Sequence, residues 1–101
     1  MNIGSLYTVK KYFWLIFPTK ETAHAAPVAG PHTDRLVAAK VAGFYSKRLN
    51  CEVTCFSPDS YIVFLEEDGI YKKVLTSDGR IGWTWFNQDY ISCFEEVKTE
   101  Q

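Results

Sequence analysis

Three cysteines and two histidines are the side chains of this sequence that could bind a metal or act as a nucleophile; they are Cys51, Cys55, Cys93, His24 and His32. Zinc sites usually draw ligands from a C-x₂-C or H-x₃-H spacing, and neither spacing occurs here. A cysteine nucleophile would need a histidine beside it, but both histidines lie in or next to a segment of low complexity. We therefore predict reduced, buried thiols, no metal and no cofactor.

Five of the twelve acidic residues lie in two clusters, Glu66–Asp68 and Glu95–Glu96. The second cluster could suggest general acid–base catalysis, but neighbouring residues of a strand point to opposite faces and cannot serve one substrate group. The first cluster is typical of a charged hairpin tip, with contact to a basic partner as the alternative. No nucleotide-binding or metalloprotease motif is present. We predict that the protein is not an enzyme.

The composition describes one small domain without a strong charge. The 101 residues are 47% hydrophobic and 16% aromatic, and the formal net charge is −1. The Lys and Arg residues are scattered, so neither dedicated nucleic-acid binding nor membrane binding is expected. The apolar run Tyr12–Phe17 is shorter than the roughly 20 residues of a membrane span. Ala23–Ala25 resembles a signal cleavage site in a poorly matching context, and a cytoplasmic location is expected.

Hydrophobic periodicity divides the chain into four parts. Residues 3–17 predict one long strand or a bent pair of strands. Residues 18–32 are rich in Ala, Pro and Gly and predict a loop. Residues 33–49 predict an amphipathic helix, and residues 51–97 alternate in hydrophobicity between turn signals, which predicts a β-meander.

The predicted helix has one apolar stripe, made of Val37, Val41, Phe44 and Tyr45. Gly43 lies inside this helix and costs about 1 kcal/mol relative to Ala. A glycine at such a position indicates that the helix packs closely on another surface.

The segment GIYKKVLTSDGRIGWTWFNQDYI resembles the second half of SH3 and bacterial SH3-like barrels. In that half, an aromatic pair and a small core residue precede a hairpin, which is followed by Gly-x-x-Gly-aromatic, a short 3₁₀ turn and a Tyr-hydrophobic pair. The matching residues of this chain, in order, are Tyr71, Lys72, Val74, Gly79, Gly82, Trp83, Tyr90 and Ile91. The resemblance covers residues 51–97, and it implies that another part of the backbone passes close to Gly82.

The chain departs from the family pattern in several places. Lys72 stands where the second aromatic residue is expected, the proline of the 3₁₀ turn is missing, and TWFNQD is longer than usual. An Ala/Pro loop and a helix replace the acidic loop of peptide-binding SH3 domains. The architecture therefore carries over better than proline-peptide binding does. We predict a mainly β (α+β) fold: an SH3-like small antiparallel β-barrel with one amphipathic helix inserted between its first and second strands.

The aromatic residues of the second half have two interpretations. In the first, Trp83 packs beneath Val37, Val41 and Phe44 of the helix, because an apolar stripe needs a surface to bury. In the second, three aromatic residues form a shallow groove that binds a protein partner, as the ligand site of the family would. These three candidate partner-binding residues are Tyr71, Trp85 and Tyr90.

Two functions remain open. The leading hypothesis is a noncatalytic SH3-like module that presents the aromatic surface to a protein partner. The alternative is self-association as a structural component of a larger assembly, such as a virus particle, through Tyr12–Phe17 on a barrel edge. The segment YFWLIFPTKE is also similar to small proteins of tailed phages that infect cyanobacteria, so a virion is the alternative location.

Overall fold

A computed structural model of the chain describes residues 2–27 and 30–98. The elements follow one another as strands β1 (Leu6–Val9) and β2 (Trp14–Ile16), helices α1 (Lys20–Ala25) and α2 (Arg35–Leu49), strands β3 (Thr54–Phe56), β4 (Tyr61–Asp68), β5 (Tyr71–Thr76) and β6 (Ile81–Trp85), a 3₁₀ helix (Gln88–Cys93) and strand β7 (Phe94–Glu96). The expected mainly β architecture with antiparallel sheets is confirmed. None of the described helices has the length and apolar character to cross a membrane.

Five strands form the larger sheet, in the order β6-β5-β4-β1-β7, and β2 pairs with β3 in a second sheet. Within the larger sheet, β4, β5 and β6 form the predicted meander, with Gly69 and Gly79 at φ +62° and +87° in its turns. A single bridge between Phe17 and Trp83 joins the chain after β2 to β6. The paired strands of the described residues do not close into the expected barrel.

The first 32 residues contain more structure than the sequence predicted. Residues 3–17 form the bent pair, not one strand, with Tyr12 at φ +70° in the break between β1 and β2. The prediction of a loop over residues 18–32 is wrong in part, because α1 lies within it. Thr19 caps α1 by accepting a hydrogen bond from the backbone N–H of Thr22 at 3.1 Å. Only alanines face inward from α1, so the sequence shows no large apolar period.

The meander is shorter than residues 51–97 at both ends. Strand β3 pairs with β2 and not with β4. The last strand begins only at Phe94, because Asn87 accepts a hydrogen bond from the Asp89 N–H at 3.0 Å and starts the 3₁₀ helix. Strand β7 then pairs with β1.

Helix α2 forms where predicted but presents a different face to the protein. Asp34 caps its first turn by accepting from the Leu36 N–H at 2.7 Å. Its buried residues are Ala38, Ala42 and Tyr45. The predicted stripe is confirmed for Tyr45, which is buried, and for Val41, which packs against the same cluster. It is wrong for Val37 and Phe44, which are 48% and 58% exposed.

Small side chains set this orientation of α2. The Tyr45 ring packs on Phe17 with ring centroids 6.1 Å apart, and the two buried alanines let the backbone of α2 approach the β2–β3 sheet. Trp83 packs against the same cluster as Ala42 and Tyr45. The prediction that Trp83 lies beneath Val37, Val41 and Phe44 is therefore wrong for Val37 and Phe44, whereas Val41 packs against the same cluster as Trp83.

Gly82 shows how tightly β6 meets the chain after β2. A Cβ atom at this position would lie 2.3 Å from Ile16 Cγ2 and 2.6 Å from the Phe17 carbonyl oxygen. Only glycine therefore allows the backbone contact between Phe17 and Trp83.

Candidate functional site

Tyr71 and Trp85, two of the candidate partner-binding residues, lie opposite each other on β5 and β6. Both are half-buried, and α1 covers part of their face of the sheet. The Tyr71 hydroxyl is 2.6 Å from His24 Nδ1, and Trp85 Nε1 donates to the Ala26 carbonyl at 3.2 Å. These two hydrogen bonds therefore connect α1 and its C-terminal cap to strands β5 and β6.

Tyr90, the third candidate, belongs to the other hydrophobic cluster. Its ring packs edge-on against Trp14 and Tyr12, with ring centroids 5.7 Å and 6.4 Å apart. Trp14 is fully buried and also packs on Phe86, whose side chain points to the opposite face of β6 from Trp85. The structure therefore brings Tyr71 and Trp85 together and separates Tyr90 from them.

The apolar run that could have served for self-association is buried inside the chain. Residues Trp14 to Phe17 are at most 4% exposed. Strand β2 is paired with β3, and Phe17 exchanges two backbone hydrogen bonds with Trp83. Within the described residues, Trp14 to Phe17 are therefore not exposed for strand addition, whereas Tyr12 and Phe13 are half-buried.

The thiols and histidines do not assemble into a site. Cys93 is buried as predicted, whereas Cys51 and Cys55 are only half-buried. Burial raises the pKa of all three thiols, so they are protonated at neutral pH. Burial lowers the pKa of His32. Over residues 2–27 and 30–98, no three metal-ligating side chains gather closely enough to hold an ion.

Lys72, which stands where the resemblance expects a second aromatic residue, is a buried cation. Its ammonium donates to the Gly69 carbonyl, lies 5.2 Å from the centroid of the Phe86 ring and is 3.8 Å from a Glu67 carboxylate oxygen. Burial lowers the pKa of Lys72, although Glu67 opposes this shift. The adjoining cleft of about 370 Å³ has exposed Ile70 on its rim. Because Lys72 is already satisfied within the chain, it offers no free charge to a ligand.

A polar cleft of about 230 Å³ lies beside the β5–β6 turn and is lined by both Arg35 and Arg80. Hydrogen bonds from Arg80 and from Thr76 lower the pKa of Asp78 to about 2. Burial raises the pKa of the Cys55 thiol in the same cleft and outweighs the opposite effect of the two arginines. The cleft thus holds a neutral thiol and an internally paired carboxylate, together with the hydroxyl groups of Ser57, Ser60 and Ser77.

The outer face of α2 carries three large apolar side chains that the described residues leave exposed. Leu36 is 70% exposed, Phe44 58% and Val37 48%. These residues lie within about two and a half turns on the side opposite to Ala38 and Ala42. We call this surface the α2 face; it also includes Lys40, Gly43, Lys47 and Arg48.

The α2 face carries a single sign of charge. Helix α2 contains Arg35, Lys40, Lys47 and Arg48 and no acidic residue. In the described part of the chain, no carboxylate forms an ion pair with any of these cations. An amphipathic surface with unpaired positive charge is suited to binding an acidic partner.

Comparison with known protein families, curated proteins and solved structures finds no match to this chain.

Sequence reasoning missed the α2 face because it assigned Val37 and Phe44 to the interior. Two signals in the sequence pointed to the face. The helix has four cations and no acid, and it has an interior glycine. A helix that packs through alanines leaves its larger apolar residues on the outside, which a search for a large apolar stripe cannot detect.

Proposed function

We propose that this chain is a noncatalytic protein-interaction module with an SH3-like arrangement, and that its partner docks on the α2 face. Three features that the resemblance implies support the arrangement: the β5–β6 hairpin, the 3₁₀ helix that contains Tyr90 and Ile91, and the close approach at Gly82.

The observation that carries the docking proposal is the exposure of three large apolar side chains on one helix. A single exposed leucine or phenylalanine is ordinary at a protein surface. Leu36, Val37 and Phe44 instead share one exposed helix face, while the same helix buries alanines. An apolar patch rimmed by charged residues is typical of a protein–protein contact.

The aromatic residues contribute less to this proposal than the sequence suggested. Tyr71 and Trp85 direct their polar ends to α1, and Tyr90 packs on Trp14. A partner-binding role for these three residues stays a prediction. Self-association through Tyr12–Phe17 lacks a surface, because most of that run is buried.

Photo-crosslinking in an extract of the source cells tests the proposal. A photoreactive residue replaces Lys40 on the α2 face, and in a matched protein it replaces Tyr61, which is exposed on β4. The captured protein is then purified and titrated with the wild-type chain. We expect capture from position 40 and not from position 61, followed by saturable binding of the purified partner.

A pair of variants with matched exposure completes the test. Phe44→Asp changes the α2 face, and Ile81→Asp changes β6, at residues that are 58% and 57% exposed. We expect Phe44→Asp to weaken binding at least tenfold and Ile81→Asp to leave it unchanged, since desolvated aromatic anchors dominate interfaces. Equal affinities for the two variants would refute docking on the α2 face.

A further inference from the structure

We infer that the partner binds α2 with an acidic amphipathic helix that crosses the α2 face at Gly43. This inference rests on the proposed docking of a protein on that face. It adds the chemistry of the partner and the point of closest approach.

Gly43 has no role inside the chain that the structure reveals. It lies in the middle of α2, is exposed, and has helical backbone angles that do not require glycine. A Cβ atom built on Gly43 meets nothing within 4 Å, in contrast to the 2.3 Å contact at Gly82. Glycine inside a helix is unfavourable, so a glycine there needs a reason. Because no contact within the chain requires Gly43, we attribute it to the close approach of another molecule.

The neighbours of Gly43 fit a second helix. Ala39 precedes it by one turn and is also exposed, so the two small residues form a shallow groove along the helix. Leu36 lies on one side of Lys40 and Lys47, and Phe44 lies on the other side. Gly43 lies next to Leu36 on the helix surface and about 100° from Phe44. A helix laid in this groove would therefore bury its apolar residues mainly against Leu36 and would meet Phe44 at its edge.

The charge of the α2 face selects an acidic partner. Its cations have no ion-pair partner in the described chain. A second copy of this chain complements the face poorly, because both of its acidic clusters already have partners. Glu66–Asp68 pairs with Lys73, Lys72 and Lys20. Glu95 pairs with Lys10, and Glu96 accepts hydrogen bonds from Asn2. Acids on a different protein would therefore supply the missing charge.

The arrangement of the side chains favours a protein over an anionic membrane. Helices that lie on membranes separate an apolar face from a basic face. On the α2 face, Lys40 and Lys47 stand between Leu36 and Phe44, so insertion of the apolar side chains would carry the lysines with them. A partner helix with alternating Leu and Glu matches this interleaved pattern.

The test uses the full chain and two synthetic helices of about 18 residues, a length that matches the 15 residues of α2. One peptide is stapled and built from Leu, Ala and Glu, and the other has Lys in place of every Glu. Vesicles of phosphatidylglycerol and phosphatidylcholine form the third probe. Binding is measured by fluorescence anisotropy for the peptides and by flotation for the vesicles.

We expect the Glu peptide to bind, the Lys peptide not to bind, and the affinity of the Glu peptide to fall with added salt. Gly43→Gln should weaken binding at least tenfold while the thermal midpoint of the chain stays at or above that of the wild type, because glutamine is the better helix former. Lys40→Glu should weaken binding, whereas Lys98→Glu, which makes the same charge change outside the helix, should not.

Some results would exclude the acidic helix but leave the proposed docking on the α2 face intact. No binding of the Glu peptide at about 1 mM, equal binding of both peptides, or unchanged affinity in Gly43→Gln would exclude an acidic helix that crosses at Gly43. The proposed function would survive those results if Phe44→Asp still weakens binding of the purified partner that crosslinking identified. Flotation with the vesicles, lost in Phe44→Asp, would replace the protein partner with a membrane surface.

Discussion

Replacement of Gly43 by alanine provides the sharpest test of how α2 sits on the protein. The new methyl group enters open space, because nothing lies within 4 Å of the Cβ position. The substitution removes the conformational entropy cost of glycine and adds no strain. From intrinsic helix propensities we expect the free energy of unfolding to rise by about 1 kcal/mol.

Urea and thermal unfolding followed by circular dichroism measure this change. For a domain of about 100 residues, a gain of about 1 kcal/mol raises the thermal midpoint by roughly 4–8 °C and shifts the urea midpoint without changing its slope. Gly82→Ala is the matched control, because its Cβ would lie 2.6 Å from the backbone oxygen of Phe17. We expect this control to be strongly destabilised.

Destabilisation of Gly43→Ala would refute the orientation of α2. It would mean that Gly43 faces the interior of the chain, and the α2 face would then lose both its open position and its proposed crossing point. A stabilised Gly43→Ala together with a destabilised Gly82→Ala would show that one glycine serves the fold and that the other does not.

Three further variants test the core, the turn and the attachment of α1. Trp14→Ala should lower the free energy of unfolding by about 3–5 kcal/mol in urea melts, because Trp14 is fully buried; a loss below 1 kcal/mol would contradict its place in the core. The folded pKa of Asp78, about 2, lies below its ordinary value of 3.8, so Asp78 stabilises the fold above that ordinary value and the effect fades as pH falls toward 2. The difference in urea midpoint between the wild type and Asp78→Asn should therefore narrow over this pH range, and a constant difference would argue against the Arg80 contact. Trp85→Phe removes the hydrogen bond to the Ala26 carbonyl and should cost about 1 kcal/mol with faster amide exchange in α1; unchanged exchange would place α1 elsewhere.

The sequence predicted the elements whose signals are local. The meander follows from alternating hydrophobicity and two Asp-Gly turns. The extent of α2 follows from its hydrophobic period and from two candidate caps, Thr33 and Asp34, of which Asp34 is the cap in the structure. The close approach at Gly82 was also foreseen. These features depend on neighbouring residues, which a single sequence displays.

Long-range contacts account for what the sequence did not predict. Strand β3 pairs with β2 across both helices, and β7 pairs with β1 from the far end of the chain. The inward face of α2 consists of Ala38 and Ala42 beside Tyr45, which packs on Phe17. The predicted stripe contained Tyr45 but not the two alanines, because a search for large apolar residues passes over alanine. The assignment of Val37 and Phe44 to the interior failed for this reason, and the α2 face was missed with it.

The most direct test of docking on the α2 face is to measure the affinity of the partner, identified by crosslinking and purified, for two variants of the chain. Calorimetric titration would compare the wild type with Phe44→Asp on the α2 face and with Tyr90→Ala in the predicted aromatic surface. We predict at least a tenfold loss of affinity for Phe44→Asp and wild-type affinity for Tyr90→Ala, provided that each variant is folded by circular dichroism. The reverse pattern would contradict the α2 face and return partner binding to the aromatic residues.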